Sequence, residues 1–379
     1  MSAEIKYNLP LVGGIACNMN LREIEKLSND PDVEYISFDS KVFALMDIAG
    51  KTISSKFPHE KGFTGKKVTV AVIDTGVTPH NDLIKPKNRI VGFKDFVNGK
   101  NKPYDDNGHG THVAGIIAGN GYASNKKYSG IAPEANILAV KALDESGSGN
   151  TSDIVSAIEW VIETKDVYDT KILNLSLGSP ATNPYSSDPL ARAAEEAVRA
   201  GITVVAAAGN SGPSAKTILC PGNSPSVITV GAIDDNKTPE PNDDFIAPFS
   251  SRGPTKDGIK KPDVVAPGVD IMSLSNAGSN YVSLSGTSMA TPVVSGSCCL
   301  LYQKAKKINP SQVKSMLKKS CNDLKESNSD QGSGVINLKN LFEEDINNFP
   351  INEQPKANGF FNENIIIFLL LILLFSGNI

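Results

Sequence analysis

Short apolar runs recur along the middle of the chain, and each ends in polar or glycine-rich residues. The runs cover 68–73, 137–140, 172–175, 202–207 and 227–230. Stretches with a helical spacing of apolar residues, such as 154–162 and 190–199, lie between them. Continuous apolar strands that alternate with helices are typical of a parallel sheet covered on both faces. The pattern therefore predicts an α/β fold with three layers, α/β/α, around a mostly parallel central sheet.

The N-terminal residues follow a different pattern, which predicts a small α+β region. Apolar spacing over 21–28 predicts a helix, 29–32 a turn, and the alternation over 33–38 a strand. From about Ser40 to Gly65 the pattern loosens and includes proline and glycine, which is typical of a linker. The predicted parts are 1–45, a small N-terminal region; 46–65, a linker; 66–342, the main domain; and 343–379, a C-terminal tail.

The tail carries an unbroken apolar run of eleven residues, 365–375. As a helix this run would be about 16 Å long at about 1.5 Å per residue, too short to cross a hydrocarbon core of about 30 Å. Two interpretations stay open: the run packs against the protein itself, or it forms a peripheral membrane or oligomer contact. At the other end, 1–14 has neither a basic leader nor a continuous apolar segment, so no secretory signal peptide is predicted.

Composition and charge narrow the class of protein. Apolar residues make up 40% and charged residues 21% of the 379 residues, an ordinary balance for a packed domain of enzyme size. The net charge is −4 without basic stripes, which argues against nucleic acid as a partner. The five cysteines include the adjacent Cys298 and Cys299 in an apolar stretch, which favours reduced thiols. We therefore expect a cytoplasmic protein; membrane association, or export without a standard signal peptide, is the alternative.

Two candidate functional residues lie just after apolar runs. In open α/β sheets, functional groups gather at the carboxyl ends of the parallel strands. Asp74 follows the run at 68–73, where burial of its charge requires a partner. Asn210 follows the run at 202–207 and brings an NH₂ donor to the same edge. Taken singly, a strand-end Asp or an Asn after Gly is also typical of an ordinary turn.

Two further candidates lie at predicted helix starts. His109, within 107–115, is one of only four histidines, so candidates for a general base near neutral pH are few. Because proline is tolerated only in a first helical turn, Pro292 predicts a helix that begins near Ser288. Free N–H groups there would stabilise negative charge beside Ser288 Oγ; a plain N-cap serine is the alternative. We interpret His112 as a packed helix histidine, since a zinc pair needs a spacing of four with an intervening Glu.

Together the four residues match the parts of a nucleophilic hydrolase site. Ser288 has the position of a nucleophile, His109 of its base, Asp74 of the acid that orients the base, and Asn210 of an oxyanion donor. The chain order acid, histidine, serine differs from the chymotrypsin order and from the nucleophile-elbow order of other hydrolases. It leaves the subtilisin order.

At these residues the chain resembles the subtilase family, over nearly all of 60–340. The segments that carry the resemblance are DTG at 74–76, NGHGTHVAG at 107–115 and GTSMATP at 286–292. The resemblance implies a serine endopeptidase that cleaves extended polypeptides through an acyl-enzyme on Ser288, without a catalytic cofactor. It implies that His109 acts as general base and acid and that Asp74 orients it. The Asn210 side chain and the Ser288 N–H would hold the oxyanion.

The resemblance also implies two substrate-binding edges, whose glycines let a peptide backbone pair as an added strand. Their residues are Ser176, Leu177, Gly178, Gly147, Ser148 and Gly149. Leu219 stands where relatives often have a glycine on the floor of the P1 pocket, so we expect large aromatic P1 side chains to fit less well. Asp82 resembles a carboxylate that binds structural calcium in secreted relatives. Because the loop 120–129 carries Lys126 and Lys127 instead of a clear ligand set, calcium is not favoured.

The region 1–45 resembles the later part of the subtilase inhibitor propeptide, above all over 29–35. This implies a shortened propeptide that acts on the chain's own catalytic domain, 66–342, with 46–65 as linker and processing window. A docking remnant is the alternative. The lack of a signal peptide and the cysteine pattern make the chain more similar to the cytoplasmic bacterial branch of the family than to the exported one.

Overall fold

The chain divides into two compact units, Met1–Phe43 and Ala44–Ile379. The computed structural model describes residues 4–9, 14–18, 26, 27, 30, 46–239 and 243–344. In the first unit, strands β1 (Glu4–Leu9) and β2 (Gly14–Asn18) pair antiparallel. The sequence patterns did not indicate these two strands. The predicted strand at 33–38 lies outside the described residues, as does the predicted helix at 21–28 except for Lys26 and Leu27, which are helical.

The second unit is built on an eight-stranded sheet. Its strands are β3 (Thr69–Asp74), β4 (Ile90–Asp95), β5 (Asn136–Lys141), β6 (Thr170–Leu175), β7 (Thr203–Ala207), β8 (Ile228–Asp234), β9 (Phe245–Ile246) and β10 (Val264–Pro267). Along the order β10-β8-β7-β6-β3-β5-β4 every pairing is parallel, and β9 pairs antiparallel with β8. A separate hairpin joins β11 (Ile271–Leu274) to β12 (Tyr281–Leu284).

Helices cover both faces of this sheet. They are α1 (Met46–Thr52), α2 (Lys56–Glu60), α3 (Asn81–Ile84), α4 (His109–Ala118), α5 (Thr151–Glu163), α6 (Lys165–Tyr168), α7 (Pro189–Arg199), α8 (Thr287–Lys304), α9 (Pro310–Lys319), α10 (Asn328–Gln331) and α11 (Leu338–Glu343). Val70 and Val72 of β3 share one core with α4 and α8, whereas Ala71 and Ile73 share the other with α5 and α7. A strand buried on both faces needs apolar residues at every position, which explains the continuous runs. The predicted α/β fold with three layers and a mostly parallel sheet is confirmed.

Residues 46–65 are not the loose linker that the sequence predicted. Helices α1 and α2 occupy much of this segment, and Ala49 and Ile53 are fully buried in the core of the second unit. The backbone carbonyl of Ile53 accepts a hydrogen bond from Leu338 N–H at 2.9 Å. The segment escaped prediction because its helices are short and only a few side chains are buried, so no apolar period builds up.

Only the start of the predicted C-terminal tail, 343–379, lies within the described residues. Helix α11 ends at Glu343, and the apolar run at 365–375 lies outside the described residues. Among the residues that the structure does describe, no helix has both the length and the apolar character needed to cross a membrane. The interpretation of the tail therefore stays a prediction.

Candidate active site

Asp74 and His109 meet at the carboxyl edge of the sheet. Asp74 is the last residue of β3 and is fully buried, and His109 is the first residue of α4. His109 Nδ1 lies 2.7 Å from Asp74 Oδ1, which also accepts from Thr75 N–H at 2.7 Å. We assign the proton to Nδ1 because the carboxylate is an acceptor, and this leaves Nε2 free to act as a base. Asp74 Oδ2 is buried without a hydrogen-bond partner among the described residues.

Opposing effects act on the basicity of His109. Burial of the ring disfavours the imidazolium, but the charge and hydrogen bond of Asp74 favour it, with a further contribution from the charge of Asp105. In sum these effects raise the pKa of His109 above its usual value. His112 behaves differently, since burial and the charge of His109 lower the pKa of its ring to about 4. Its Nε2 lies 3.0 Å and 3.1 Å from the backbone carbonyls of Ile271 and Val282, which fits a packed histidine.

A glycine allows α4 to approach β3 closely enough for this pairing. A Cβ atom at Gly110 would lie 2.2 Å from the carbonyl oxygen of Gly76 and 3.1 Å from Asp74 Cβ. Any side chain there would push the first turn of α4 away from the strand. The glycine after His109 is therefore part of what sets the distance between His109 and Asp74.

Ser288 is the second residue of α8 and is tied to the end of β6 by two hydrogen bonds. Ser288 Oγ donates to the backbone carbonyl of Ser176 at 3.0 Å, and Ser176 Oγ donates to the backbone carbonyl of Ser288 at 3.0 Å. The second bond has a local cause. Pro292 lies in the second turn of α8, not in the first turn as predicted, and it has no N–H to offer the carbonyl four residues earlier. Ser176 takes the place of that missing helical donor.

His109 and Ser288 line the same cavity, but in the described part of the chain no hydrogen bond joins them. The hydroxyl of Ser288 points to Ser176 instead. A serine side chain has three staggered rotamers, and hydrogen bonds between catalytic groups are often long or poorly aligned without substrate. A change of the Ser288 rotamer is therefore the step that would bring Oγ toward Nε2 of His109.

Asn210 is oriented by the residue before Ser288. Its Oδ1 accepts from the backbone N–H and from the hydroxyl of Thr287, both at 2.9 Å. Because a backbone N–H can only donate, its bond fixes which end of the amide is Oδ1 and which is Nδ2. Within 46–239 and 243–344, neither Asn210 Nδ2 nor the backbone N–H of Ser288 has a hydrogen-bond acceptor. Two donors next to the hydroxyl of Ser288 are therefore available.

The structure brings both predicted substrate edges into one cavity of about 550 Å³. Ser176, Leu177 and Gly178 follow β6 on one side, and Gly147, Ser148 and Gly149 precede α5 on the other. Sequence reasoning missed five polar residues that also line it, namely Thr75, Asn107, Ser146, Thr151 and Ser179. The cavity thus joins both predicted edges to His109 and Ser288.

Lys141 is a further residue near the site that sequence reasoning missed. Its fully buried ammonium group donates to the backbone carbonyls of Thr75 and Leu143, both at 2.8 Å, and to Asp106 Oδ1 at 2.6 Å. A signal was present, because Lys141 directly follows the apolar run at 137–140 just as Asp74 follows its own run. The rule of strand ends would have found it.

Leu219 lies between glycines of two neighbouring loops. A Cβ atom at Gly178 would lie 3.0 Å from Leu219 Cβ, and one at Gly209 would lie 2.5 Å from Leu219 Cγ. The leucine side chain thus lies between the loop that follows β6 and the loop that follows β7.

Asp82, which resembles a calcium ligand of secreted relatives, accepts hydrogen bonds on both carboxylate oxygens. Oδ1 accepts from Ala123 N–H at 2.8 Å, and Oδ2 accepts from Gly121 N–H at 3.1 Å and from Tyr281 OH at 2.9 Å. Over the described ranges, no group of three or more His, Cys, Asp or Glu side chains is arranged to hold a metal ion. A calcium ion takes several oxygen ligands, which can include backbone carbonyls. That calcium is not favoured at Asp82 therefore stays a prediction.

Comparison with known proteins agrees with this geometry. The model of the subtilase family matches residues 65–335. The chain is 45% identical to serine protease AprX of Bacillus subtilis over 335 residues, which cover 83% of this chain and 75% of that protein. It is 40% identical to subtilisin DY of Bacillus licheniformis over 282 residues, 74% of this chain and 92% of that protein. The solved structure of sphericase superposes with a TM-score of 0.63 at 33% identity, covering 72% of this chain and 92% of that one.

The family match spans most of the chain and includes all three segments that carry the sequence resemblance. Subtilases need no cofactor for catalysis. The chain belongs to the subtilase family and is a serine endopeptidase.

Proposed function

We propose that the chain hydrolyses peptide bonds within extended polypeptides through an acyl-enzyme formed on Ser288. His109 Nε2 takes the proton from Ser288 Oγ as the oxygen attacks the peptide carbonyl, and it then gives the proton to the leaving amine. Asp74 keeps the second ring nitrogen of His109 protonated and stabilises the imidazolium. Water repeats the attack on the acyl-enzyme and releases the second product. The observation that carries this proposal is the Asp74–His109 pair in the cavity that Ser288 also lines.

The tetrahedral oxyanion would lie between Asn210 Nδ2 and the backbone N–H of Ser288. Both groups are free of other acceptors among the described residues, and Thr287 holds the amide of Asn210 in place. Donors that are already oriented cost no reorganisation as charge develops, and the start of α8 adds the positive end of its dipole. Replacing Asn210 with Ala should therefore lower kcat far more than it changes KM.

The substrate would bind as an added strand between the edges at 147–149 and 176–178. Main-chain pairing of this kind gives affinity with little dependence on side chains, so the specificity should be broad. Leu219 limits the depth of the P1 pocket between Gly178 and Gly209. Leu219→Gly should raise kcat/KM for a peptide with Phe at P1 relative to one with Ala. An unchanged ratio would remove Leu219 from the P1 pocket.

A fluorophosphonate probe tests the proposed nucleophile. The full chain should incorporate the probe at Ser288 and should cleave a denatured protein and a peptide library. The Ser288→Ala variant should do neither while it keeps the same thermal unfolding temperature. Labelling that persists in Ser288→Ala would place the nucleophile elsewhere. A folded wild-type chain that takes up no probe would favour the rival function, a catalytically silent subtilase that acts as a binding module.

We propose in addition that the site at Asp82 works without calcium, because N–H and O–H donors occupy both of its oxygens. The unfolding temperature of Ser288→Ala should then differ by less than about 1 °C between buffers with EDTA and with millimolar calcium. A rise of several degrees with calcium would contradict this.

A cytoplasmic location, the propeptide role of 1–45 and a contact through 365–375 remain proposals. The free thiols of Cys220, Cys298, Cys299 and Cys321 support the first of them.

Processing can be followed on the same two proteins. Loss of an N-terminal fragment from the wild type alone, measured by intact mass, would support self-cleavage. Because Ala49 and Ile53 are buried in the second unit, we expect that cut before α1 and not inside it. A mature N-terminus beyond Ile53 would contradict the expectation.

A further inference from the structure

Asp105 is a buried carboxylate beside the catalytic pair that the mechanism above does not use. Only 7% of the residue is exposed. Its Oδ1 accepts from Thr75 Oγ1 at 2.9 Å and from the N–H groups of Asn107 at 3.1 Å and Gly108 at 2.8 Å. Its Oδ2 accepts from Thr111 N–H at 2.9 Å and from Thr111 Oγ1 at 2.6 Å. A side chain that caps a helix usually accepts from one or two donors. This carboxylate accepts from more, so it binds residues outside the helix end as well.

The donors lie on both sides of His109 in the chain and include the residue that follows Asp74. Thr75 N–H donates to Asp74 Oδ1 at 2.7 Å, and Thr75 Oγ1 accepts from Gly110 N–H at 2.9 Å. Asp105 therefore ties the end of β3 to the first turn of α4. Contact between these two elements sets the 2.7 Å between Asp74 Oδ1 and His109 Nδ1.

The negative charge of Asp105 also acts on His109. The titratable groups around the ring are Asp74 on β3, Asp105 in the preceding loop and His112 on α4, while Asp106 and Lys141 form an ion pair of their own. His112 stays neutral at working pH because burial, with the charge of His109, lowers its pKa to about 4. Asp74 and Asp105 are thus the two charges that raise the pKa of His109 against its burial.

We propose that Asp105 is a positioning residue for peptide hydrolysis, holding the imidazole of His109 in line with Asp74 and Ser288 through the first turn of α4. The proposal rests on the function proposed above. Asp105 does not touch the substrate cavity or the reacting atoms, so its effect passes through Thr75 and the helix start. It has two separable parts: geometry, carried by the hydrogen bonds, and basicity, carried by the charge.

The test is Asp105→Asn in the full-length chain, assayed with a short chromogenic peptide from pH 5 to pH 9. The amide keeps the shape but turns one acceptor oxygen into a donor that faces other donors. We expect kcat to fall by at least about tenfold with KM within about twofold, because misplaced groups slow chemistry more than binding. We expect the acid limb of kcat/KM to move down by about half a pH unit, because one negative charge near His109 is lost.

Fluorophosphonate titration measures the concentration of active sites. It therefore separates a failure of the Asp105 proposal from a failure of the proposed function. If the wild type takes up no probe, the proposed function fails before Asp105 is tested. If the wild type is labelled and Asp105→Asn has the wild-type kcat per labelled site, or an unmoved acid limb, the proposal is overturned.

Two further variants separate positioning from simple loss of stability. Asp82→Asn also removes a buried carboxylate that holds two N–H groups and a hydroxyl, but it lies on α3 and not among the groups that act on His109. It should destabilise the fold and leave the acid limb in place. Thr111→Val keeps the charge of Asp105 but removes its 2.6 Å donor. It should lower kcat severalfold without moving the acid limb, and an unchanged kcat would count against the proposal even if Asp105→Asn does not fold.

Discussion

Two regions of the second unit bury carboxylates in opposite ways. At the active-site edge, the two oxygens of Asp105 accept five hydrogen bonds. In the loop after β8, both oxygens of Asp244 are buried with no hydrogen-bond partner among the described residues. The charges of Asp235, Asp243 and Asp234 lie near enough to act on it, and burial together with these charges raises the pKa of Asp244 to about 7. An aspartate carboxylate is thus fully hydrogen-bonded in one place and, among the described residues, has no donor in the other.

Hydrogen-bond donors, and not burial itself, therefore decide whether a buried carboxylate stabilises the fold. Around Asp105 the donors come from the first turn of α4 and from Thr75, and they hold the groups of the active site in place before substrate arrives. Around Asp244 no such donors exist in the described ranges, so ionisation costs stability. A site that must keep its geometry during a reaction needs the first arrangement.

The largest expected effect is the loss of the buried ammonium of Lys141 from the active-site edge. Lys141→Met would leave Asp106 and the carbonyls of Thr75 and Leu143 without their donor. Because Asp106 is partly exposed, the cost comes mainly from the two buried carbonyls, at about 1–3 kcal/mol for each acceptor left unsatisfied. Urea unfolding in the Ser288→Ala background would measure this loss without self-digestion. The matched control is Lys171→Met, whose ion pair with Asp169 is 40% and 65% exposed and should contribute less than about 1 kcal/mol. Equal losses of unfolding free energy in Lys141→Met and Lys171→Met would contradict the expected difference between a buried and an exposed ammonium group.

The next effect concerns the pH dependence of activity. Catalysis needs neutral His109, and its pKa is raised above the usual 6.5 by the charges that oppose its burial. The acid limb of kcat/KM should therefore have its midpoint above pH 6.5 and fall about tenfold per unit below it. The same shift contributes stability that is present below pH 6.5 and is lost as the pH rises through the folded-state pKa. A midpoint below pH 6.5 would mean that burial of the ring outweighs Asp74.

The smallest effect should come from Asp244, and it should have the opposite sign. A folded-state pKa raised from 3.8 to about 7 contributes stability that is present below about pH 3.8 and is lost as the pH rises through 7. Asp244→Asn should therefore stabilise the protein at pH 8 by about 1 kcal/mol, roughly 2–4 °C in unfolding temperature. The gain should be smaller at pH 5 and should vanish below about pH 3.8. The exposed Asp166, which is not among the charges that act on Asp244, supplies the control variant Asp166→Asn. A loss of stability at pH 8 on replacing Asp244 would show that its carboxylate has an ionic partner.

Prediction from sequence worked best where a function requires contiguous residues. Asp74, His109 and Ser288 lie in short motifs with fixed neighbours. The apolar runs marked β3, β5, β6, β7 and β8 to within a few residues but did not indicate β4, β9 and β10. It failed at 46–65, where Ala49 and Ile53 anchor short helices that have no sustained period. It missed Asp105 because a buried acid in a polar loop looks like any surface turn until its donors are known.

Local patterns of apolar residues and the chemistry of each side chain are properties of the amino-acid order, so the sequence alone predicted the fold class and the candidate reactive side chains. Tertiary structure decided the rest. Whether Ser288 Oγ points to Ser176 or to His109, whether Asp82 meets backbone amides or a cation, and whether Asp105 and Asp244 are paired depend on residues far apart in the chain. Such contacts are set by packing and by the desolvation of each polar group, and no local pattern encodes them.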